Sequence, residues 1–207
     1  IEKFKENSRA TKLKMSVSPF VLRRLKTDKK VITDLPEKLV LDDYCYLSKP
    51  QAVLYEKTLN EMMEKISGVV GINRRGNIFK LITALKQICN HPHQFLKVGE
   101  MSKELSGKME KCVSLVQSIL DNGEKTLIFT QYKEMGDILC KVLNDECGIN
   151  PLFFHGSLSV PQREKLIDDF QNNDEVKVMI LSLEAGGTGL NLTSATNVIH
   201  YDLWWNP

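Results

Sequence analysis

The ten residues Ser182-Leu183-Glu184-Ala185-Gly186-Gly187-Thr188-Gly189-Leu190-Asn191 place three glycines within four positions, flanked by Ser, Glu and Asn. Such a run permits positive φ and lets backbone N–H groups approach an anion. It follows the apolar run Val176–Leu181, as a phosphate-contacting loop follows a strand. It matches neither the dinucleotide fingerprint G-x-G-x-x-G nor the P-loop G-x-x-x-x-G-K-[ST]. On its residues alone, it fits phosphate contact and a plain tight turn equally well. His155-Gly156-Ser157 follows Pro151-Leu152-Phe153-Phe154. An imidazole, a small hydroxyl and a free backbone N–H at a strand end suit a phosphate grip, and they also suit a turn ahead of a helix. No nucleophile-elbow pattern surrounds Ser157, which argues against a Ser–His hydrolase. Cys89-Asn90-His91-Pro92-His93 has no second ligand pair, so no metal site is expected.

These segments need a scaffold that brings them together. From Ser106 onward, helical and strand patterns alternate. Met109, Cys112, Val113, Val116, Ile119 and Leu120 mark a helix ending near Gly123, and Thr126–Thr130 is a short, nearly continuous apolar strand of the kind covered on both faces. A helix over 133–146 stops at Gly148. A strand over 151–154 leads to the capping box Ser159-Val160-Pro161-Gln162, which opens a helix bearing Leu166, Ile167 and Phe170. Strands over 176–181 and 198–201 complete a doubly wound parallel sheet. Ligands of such sheets gather at the carboxyl ends of the strands, which selects Thr130-Gln131-Tyr132, His155-Gly156-Ser157 and Ser182–Asn191.

Residues 1–105 read as mostly helical. The capping box Ser48-Lys49-Pro50-Gln51 starts one helix, and Ile78, Leu81, Ile82, Leu85 and Ile88 mark another that ends near Pro92. Between them, Lys38–Leu47 is rich in β-formers and reads as a strand.

Composition narrows the classes. No apolar run approaches the roughly 20 residues of a bilayer-spanning helix, so no membrane is expected. The chain starts at Ile1 with a charged segment and no signal-peptide pattern, as expected of a piece of a longer protein. Five unpaired cysteines fit a reducing compartment better than a disulfide framework. The net charge of +2 hides an asymmetry: residues 1–106 carry 20 Lys/Arg against 12 Asp/Glu, residues 107–207 carry 8 against 14. The basic half suits phosphate backbones or ordinary solvated helix faces.

Eight blocks then occur in order: Pro19-Phe20-Val21-Leu22-Arg23-Arg24-Leu25-Lys26, Leu35-Pro36-Glu37-Lys38, Gln87-Ile88-Cys89-Asn90-His91-Pro92, Ser106-Gly107-Lys108-Met109, Leu127-Ile128-Phe129-Thr130-Gln131-Tyr132, Phe154-His155-Gly156-Ser157, Ala185-Gly186-Gly187-Thr188-Gly189-Leu190-Asn191-Leu192 and Trp205-Asn206-Pro207. Together they resemble the second-lobe blocks of the SWI/SNF-type family within the superfamily-two helicase-like ATPases.

The resemblance implies a RecA-like second lobe over 106–207, preceded over 1–105 by a linker and a mostly helical protrusion. It implies DNA contacts from Thr130, Gln131, His155, Gly156, Ser157, Ser182, Gly186 and Trp205, with Arg23 and Arg24 touching DNA or bracing the partner lobe. Glu184, Gly187, Gly189 and Asn191 would line the nucleotide cleft. No catalytic residue is expected here, because Ser106-Gly107-Lys108-Met109 is not a P-loop and no Arg follows Arg163, where the family carries arginine fingers further on. ATP and magnesium would be held mainly by a first lobe preceding Ile1. The implied partners are that lobe, duplex DNA and an unidentified protein–DNA complex. The implied setting is intracellular, with the compact spacing leaning towards a bacterial or archaeal cytoplasm rather than a nucleus. Two alternatives remain at this level: a non-motor binding platform for DNA or protein, and a Rossmann-like nucleotide-binding enzyme.

Overall fold

A computed structural model describes residues 2–21, 38–186 and 189–203. The chain divides into two compact units, Ile1–Asp43 and Tyr44–Pro207. In the first, helix α1 (Glu2–Val17) ends in a turn in which Ser18 N–H donates to Lys14 O at 2.8 Å and Phe20 N–H to Val17 O at 2.9 Å.

The strand expected over 38–47 is absent: those residues are irregular, and Leu39, Val40, Leu41, Tyr44 and Tyr46 are all exposed. A β-former gains stability only from a ladder and a packed face, and among the described residues no strand of the sheet pairs with this segment.

In the second unit, α2 (Lys49–Ser67), α3 (Gly71–Asn90) and the short α4 (Pro92–Leu96) precede a single 3₁₀ turn at Lys103–Leu105. The capping box at the start of α2 forms as read: Ser48 Oγ accepts from Gln51 N–H at 3.3 Å, and Gln51 Oε1 accepts from Ser48 N–H at 3.0 Å. The same buried glutamine has a second role. Its Nε2 donates to Ile88 O at 2.8 Å, and its Oε1 accepts from Gly107 N–H at 3.3 Å. The start of α2, the end of α3 and the start of the next helix are thereby joined.

The α/β layer contains α5 (Gly107–Asp121), β1 (Thr126–Thr130), α6 (Lys133–Cys147), β2 (Leu152–Phe154), α7 (Val160–Asn172), β3 (Val178–Ser182), α8 (Leu183–Gly186) and β4 (Asn197–His200). The four strands are parallel in the order β2-β3-β1-β4. Alternate residues serve opposite faces. Ile128, Val178 and Ile180 pack with α5 and α6, while Leu127, Met179 and Leu181 pack with Phe170 of α7. Val178 to Leu181 are 0–2% exposed, and each such side chain contributes about 1.5–3 kcal/mol of burial energy. This two-faced cover explains why the strands read as apolar runs rather than alternations.

Two local devices fix the layers. An ideal Cβ on Gly136 would lie 2.2 Å from the Phe153 ring, so glycine lets α6 approach β2 this closely without displacing that ring. At the other edge, buried Lys125 donates to Phe170 O at 2.7 Å and Asn173 O at 2.9 Å. It satisfies the carbonyls that end α7 and places a cation at the negative end of that helix.

Candidate nucleic-acid interface

Register places the three selected segments on one edge. Thr130 pairs with Ser182 across β1 and β3, and Phe154 pairs with Leu181, so His155 leaves β2 level with Ser182. This edge is the carboxyl end of the sheet.

The Thr130-Gln131 strand end is fixed by a buried carboxylate. Thr130 Oγ1 donates to Asp202 Oδ2 at 2.7 Å, and Gln131 N–H donates to Asp202 Oδ1 at 2.6 Å. Asn90 Nδ2 also donates to Asp202 Oδ2, at 3.1 Å, and Lys108 Nζ donates to Asn90 Oδ1 at 2.8 Å. Ser106 Oγ and Tyr201 OH both donate to the Asn90 carbonyl, at 2.6 and 2.8 Å. Lys86 Nζ donates to Gln131 Oε1 at 3.1 Å and to Leu203 O at 2.9 Å. Burial pushes the Lys108 ammonium below the usual lysine range, opposed by the nearby Asp202 charge. Its ammonium also lies 5.4 Å from the centre of the Tyr201 ring.

The His155-Gly156-Ser157 loop is held differently. Gly156 and Ser157 are exposed, and Arg163 Nη2 donates to Gly156 O at 2.8 Å. The Arg163 guanidinium lies 5.7 Å from the centre of the Phe154 ring, and His155 packs on Phe153 at 4.7 Å. His155 Nδ1 and Arg163 Nε are buried and lack protein partners. Burial lowers the His155 pKa, as do Lys133 and Arg163, while Asp137 opposes them. The loop therefore offers a neutral imidazole, two cations and exposed backbone, a set suited to an oxyanion such as phosphate.

Ser182 closes β3 and is buried. The expected Gly-rich turn begins instead with the helical turn α8, in which Glu184 is exposed and Gly186 is the last residue. Gly189 has φ +79°, a backbone setting that strains other residues. Asn191 lies apart from the carboxyl edge: its carbonyl accepts from Gln171 Nε2 at 3.1 Å, at the end of α7 that leads into β3. Gln171 also receives Ser194 N–H at 2.9 Å, so the segment has crossed to the amino edge by residue 194. Arg23, Arg24, Gly187 and Trp205 lie outside the described residues.

Sequence reading missed Asp202, Asn90, Lys86, Lys133 and Arg163. Arg163 carried a local signal, one turn after the Ser159 cap and facing the loop before it. His91 is a structural residue. Its Nε2–H donates to Ser102 O at 2.9 Å, and its Nδ1 accepts from His93 N–H at 3.1 Å.

Residues 107–207 match the helicase conserved C-terminal domain and residues 2–94 the SNF2-related domain. A Bacillus subtilis protein named as an ATP-dependent helicase/translocase is 42% identical over the whole chain, which spans 23% of that relative's length. The Sulfolobus solfataricus SWI2/SNF2 ATPase C-terminal domain is 43% identical, with a TM-score of 0.74 over 79% of this chain and 72% of that one. The Sulfolobus solfataricus SWI2/SNF2 ATPase core in complex with double-stranded DNA is 42% identical, with a TM-score of 0.77 over 95% of this chain and 42% of that one. Matched in sequence to both domains and in fold to a C-terminal domain of which it covers 72%, the chain belongs to the SWI2/SNF2 ATPase family.

Proposed function

We propose that the chain is the second motor lobe, with its linker and helical protrusion, of an ATP-dependent translocase acting on duplex DNA. The supporting observation is the convergence of Thr130-Gln131, His155-Gly156-Ser157 and Ser182 on one sheet edge, in a chain so similar to a core solved with double-stranded DNA. In this reading that edge, with Gly186 and Trp205, follows the phosphate backbone, and Arg23 and Arg24 touch DNA or brace the partner lobe. Such contacts position the protein without reading sequence. The substrate is a protein–DNA complex or bare duplex.

Glu184, Gly187 and Gly189 form one wall of the ATP cleft in the same reading; Asn191, held by Gln171 towards the amino edge, does not join them. The described residues do not fit the triphosphate and magnesium themselves. Lys108 is committed to Asn90 and the Tyr201 ring, and no group of three His, Cys, Asp or Glu among them could hold a metal ion. In the same reading the phosphate grip and the metal belong to the first lobe, and the arginine fingers to a segment further on than Pro207. This chain's own part is to hold the DNA track and to close against that lobe.

The test is ATP hydrolysis by the full-length protein with and without duplex DNA. At least tenfold stimulation is expected, with none from the 207-residue chain alone. A full-length protein whose hydrolysis ignores DNA would remove the motor reading. Salt-dependent duplex binding without hydrolysis would replace it with a passive platform.

A further inference from the structure

The carboxylate of Asp202 receives three donors from two separate parts of the chain: Asn90 at the end of α3, and Thr130 Oγ1 with the backbone of Gln131 at the end of β1. Asp202 is 3% exposed, Asn90 1% and Thr130 0%. A buried carboxylate with this many donors is satisfied in one arrangement only, because each missing donor would strand a charge.

The direction of every bond in the network is fixed. An ammonium only donates, so Lys108 sets Asn90 with Oδ1 towards itself and Nδ2 towards Asp202. Thr130 Oγ1 accepts from Tyr132 N–H at 3.4 Å, which leaves its single proton for Asp202. With Oδ2 filled by Asn90 and Thr130, Oδ1 takes Gln131 N–H and fixes the peptide as it leaves the strand. Outside the buried part, Lys86 bonds both Gln131 Oε1 and Leu203 O. The strand end is thus tied to the segment just past β4.

We infer that Asp202 is the positioning residue for the Thr130-Gln131 strand end, and that Lys108 and Asn90 set the orientation in which it acts. The inference rests on the reading of this strand end as a DNA contact. A shift of α3 relative to β1 would then be transmitted to the DNA track through one carboxylate.

An exchange of groups tests it. Asp202→Asn puts an amide N–H against either Gln131 N–H or Asn90 Nδ2, and Asn90 cannot turn because Lys108 holds its oxygen. Adding Asn90→Asp restores the partners of Lys108, residue 90 and Gln131: Lys108 pairs with the new carboxylate, and the new amide donates to that carboxylate and to Thr130 Oγ1 while accepting from Gln131 N–H, so that only the Thr130 hydroxyl proton loses its acceptor. The readout is DNA-stimulated ATP hydrolysis by the full-length protein, with thermal melting alongside. For Asp202→Asn, the duplex concentration giving half-maximal rate should rise at least tenfold, while the rate at saturating DNA falls less than threefold. The double variant should return half-saturation to within threefold of wild type.

A single variant with unchanged half-saturation overturns the inference. So does one whose maximal rate and melting temperature fall together without a shift in half-saturation, since that marks a purely structural role. If the single variant does not fold, the double variant decides: wild-type half-saturation supports the network, and a shifted value or failure to fold overturns it. A wild-type protein with no DNA response removes the reading beneath and the inference with it.

Discussion

Thr130-Gln131 and His155-Gly156-Ser157 leave the same edge of one sheet, two strands apart, under opposite physical regimes. The first is closed: its hydroxyl, its backbone N–H and its glutamine side chain all have protein partners. The second is open: Gly156 and Ser157 face solvent, and two buried nitrogens around it have no protein partner. A closed strand end holds a fixed shape before any ligand arrives, which lowers the ordering cost of binding. An open loop with unspent donors draws energy from the ligand itself. On the proposed reading, this sheet edge combines one preset contact with one adaptive contact along the DNA backbone.

The largest expected effect breaks the closed side. Asp202→Ala leaves three donors without an acceptor, two buried and one part-buried, and at about 1–3 kcal/mol for an unsatisfied group the loss should be at least about 3 kcal/mol in denaturant unfolding. A loss below 1 kcal/mol would show that the junction tolerates water and is not closed.

Next comes the open side. Arg163→Ala should weaken duplex binding about tenfold, near 1.4 kcal/mol, and reduce the salt slope by about one. Its unfolding free energy should change by less, about 1 kcal/mol for one hydrogen bond to Gly156 O and contact with the Phe154 ring. An unchanged salt slope would show that Arg163 only braces the loop.

Acidification should separate the two regions by sign. Burial lowers the His91 pKa, so its stability contribution is complete above the unfolded-state value of about 6.5 and is lost as pH falls from there through the folded-state value. His155 is also lowered in the free protein, but a bound phosphate favours its charged form, so duplex affinity should rise as pH falls from 7 to 6. Unfolding curves for His91→Asn and binding curves for His155→Asn should each lose most of their pH dependence. Affinity that falls on acidification would place no phosphate at His155.

The smallest effect concerns the helix behind the open loop. Ser159→Ala removes one exposed cap residue of α7 and should cost about 1 kcal/mol. A cost near 3 kcal/mol would show that the loop is more tightly built than its exposed residues indicate.

Legibility in the sequence followed range. β1 was read to the residue, and both capping boxes were placed, because an apolar run and a cap are decided within five residues. The 38–47 segment misled because its β-formers carry no sign that a partner strand is missing. The carboxyl-edge residues could be selected from the parallel-sheet rule alone. Asp202 could not, because its donors lie 72 and 112 residues away and no local pattern marks it. Asn191 sits in the Gly-rich run yet is drawn towards the amino edge by Gln171, a partner 20 residues earlier that spacing does not reveal.

Because β1 lies between β3 and β4, the strand made first needs two partners made later. During synthesis, one face gains cover early from α5 and α6, but the other waits for α7 and both edges stay bare until Val178–Ser182 and Asn197–His200 emerge. At translation speeds of about 5–20 residues per second, the wait for β3 alone lasts roughly 2–10 s. An apolar strand with unpaired edges is a template for pairing with other chains. The interval between residues 130 and 178 is thus when a nascent chain most needs a chaperone, and slow codons placed there would lower soluble yield without changing any amino acid.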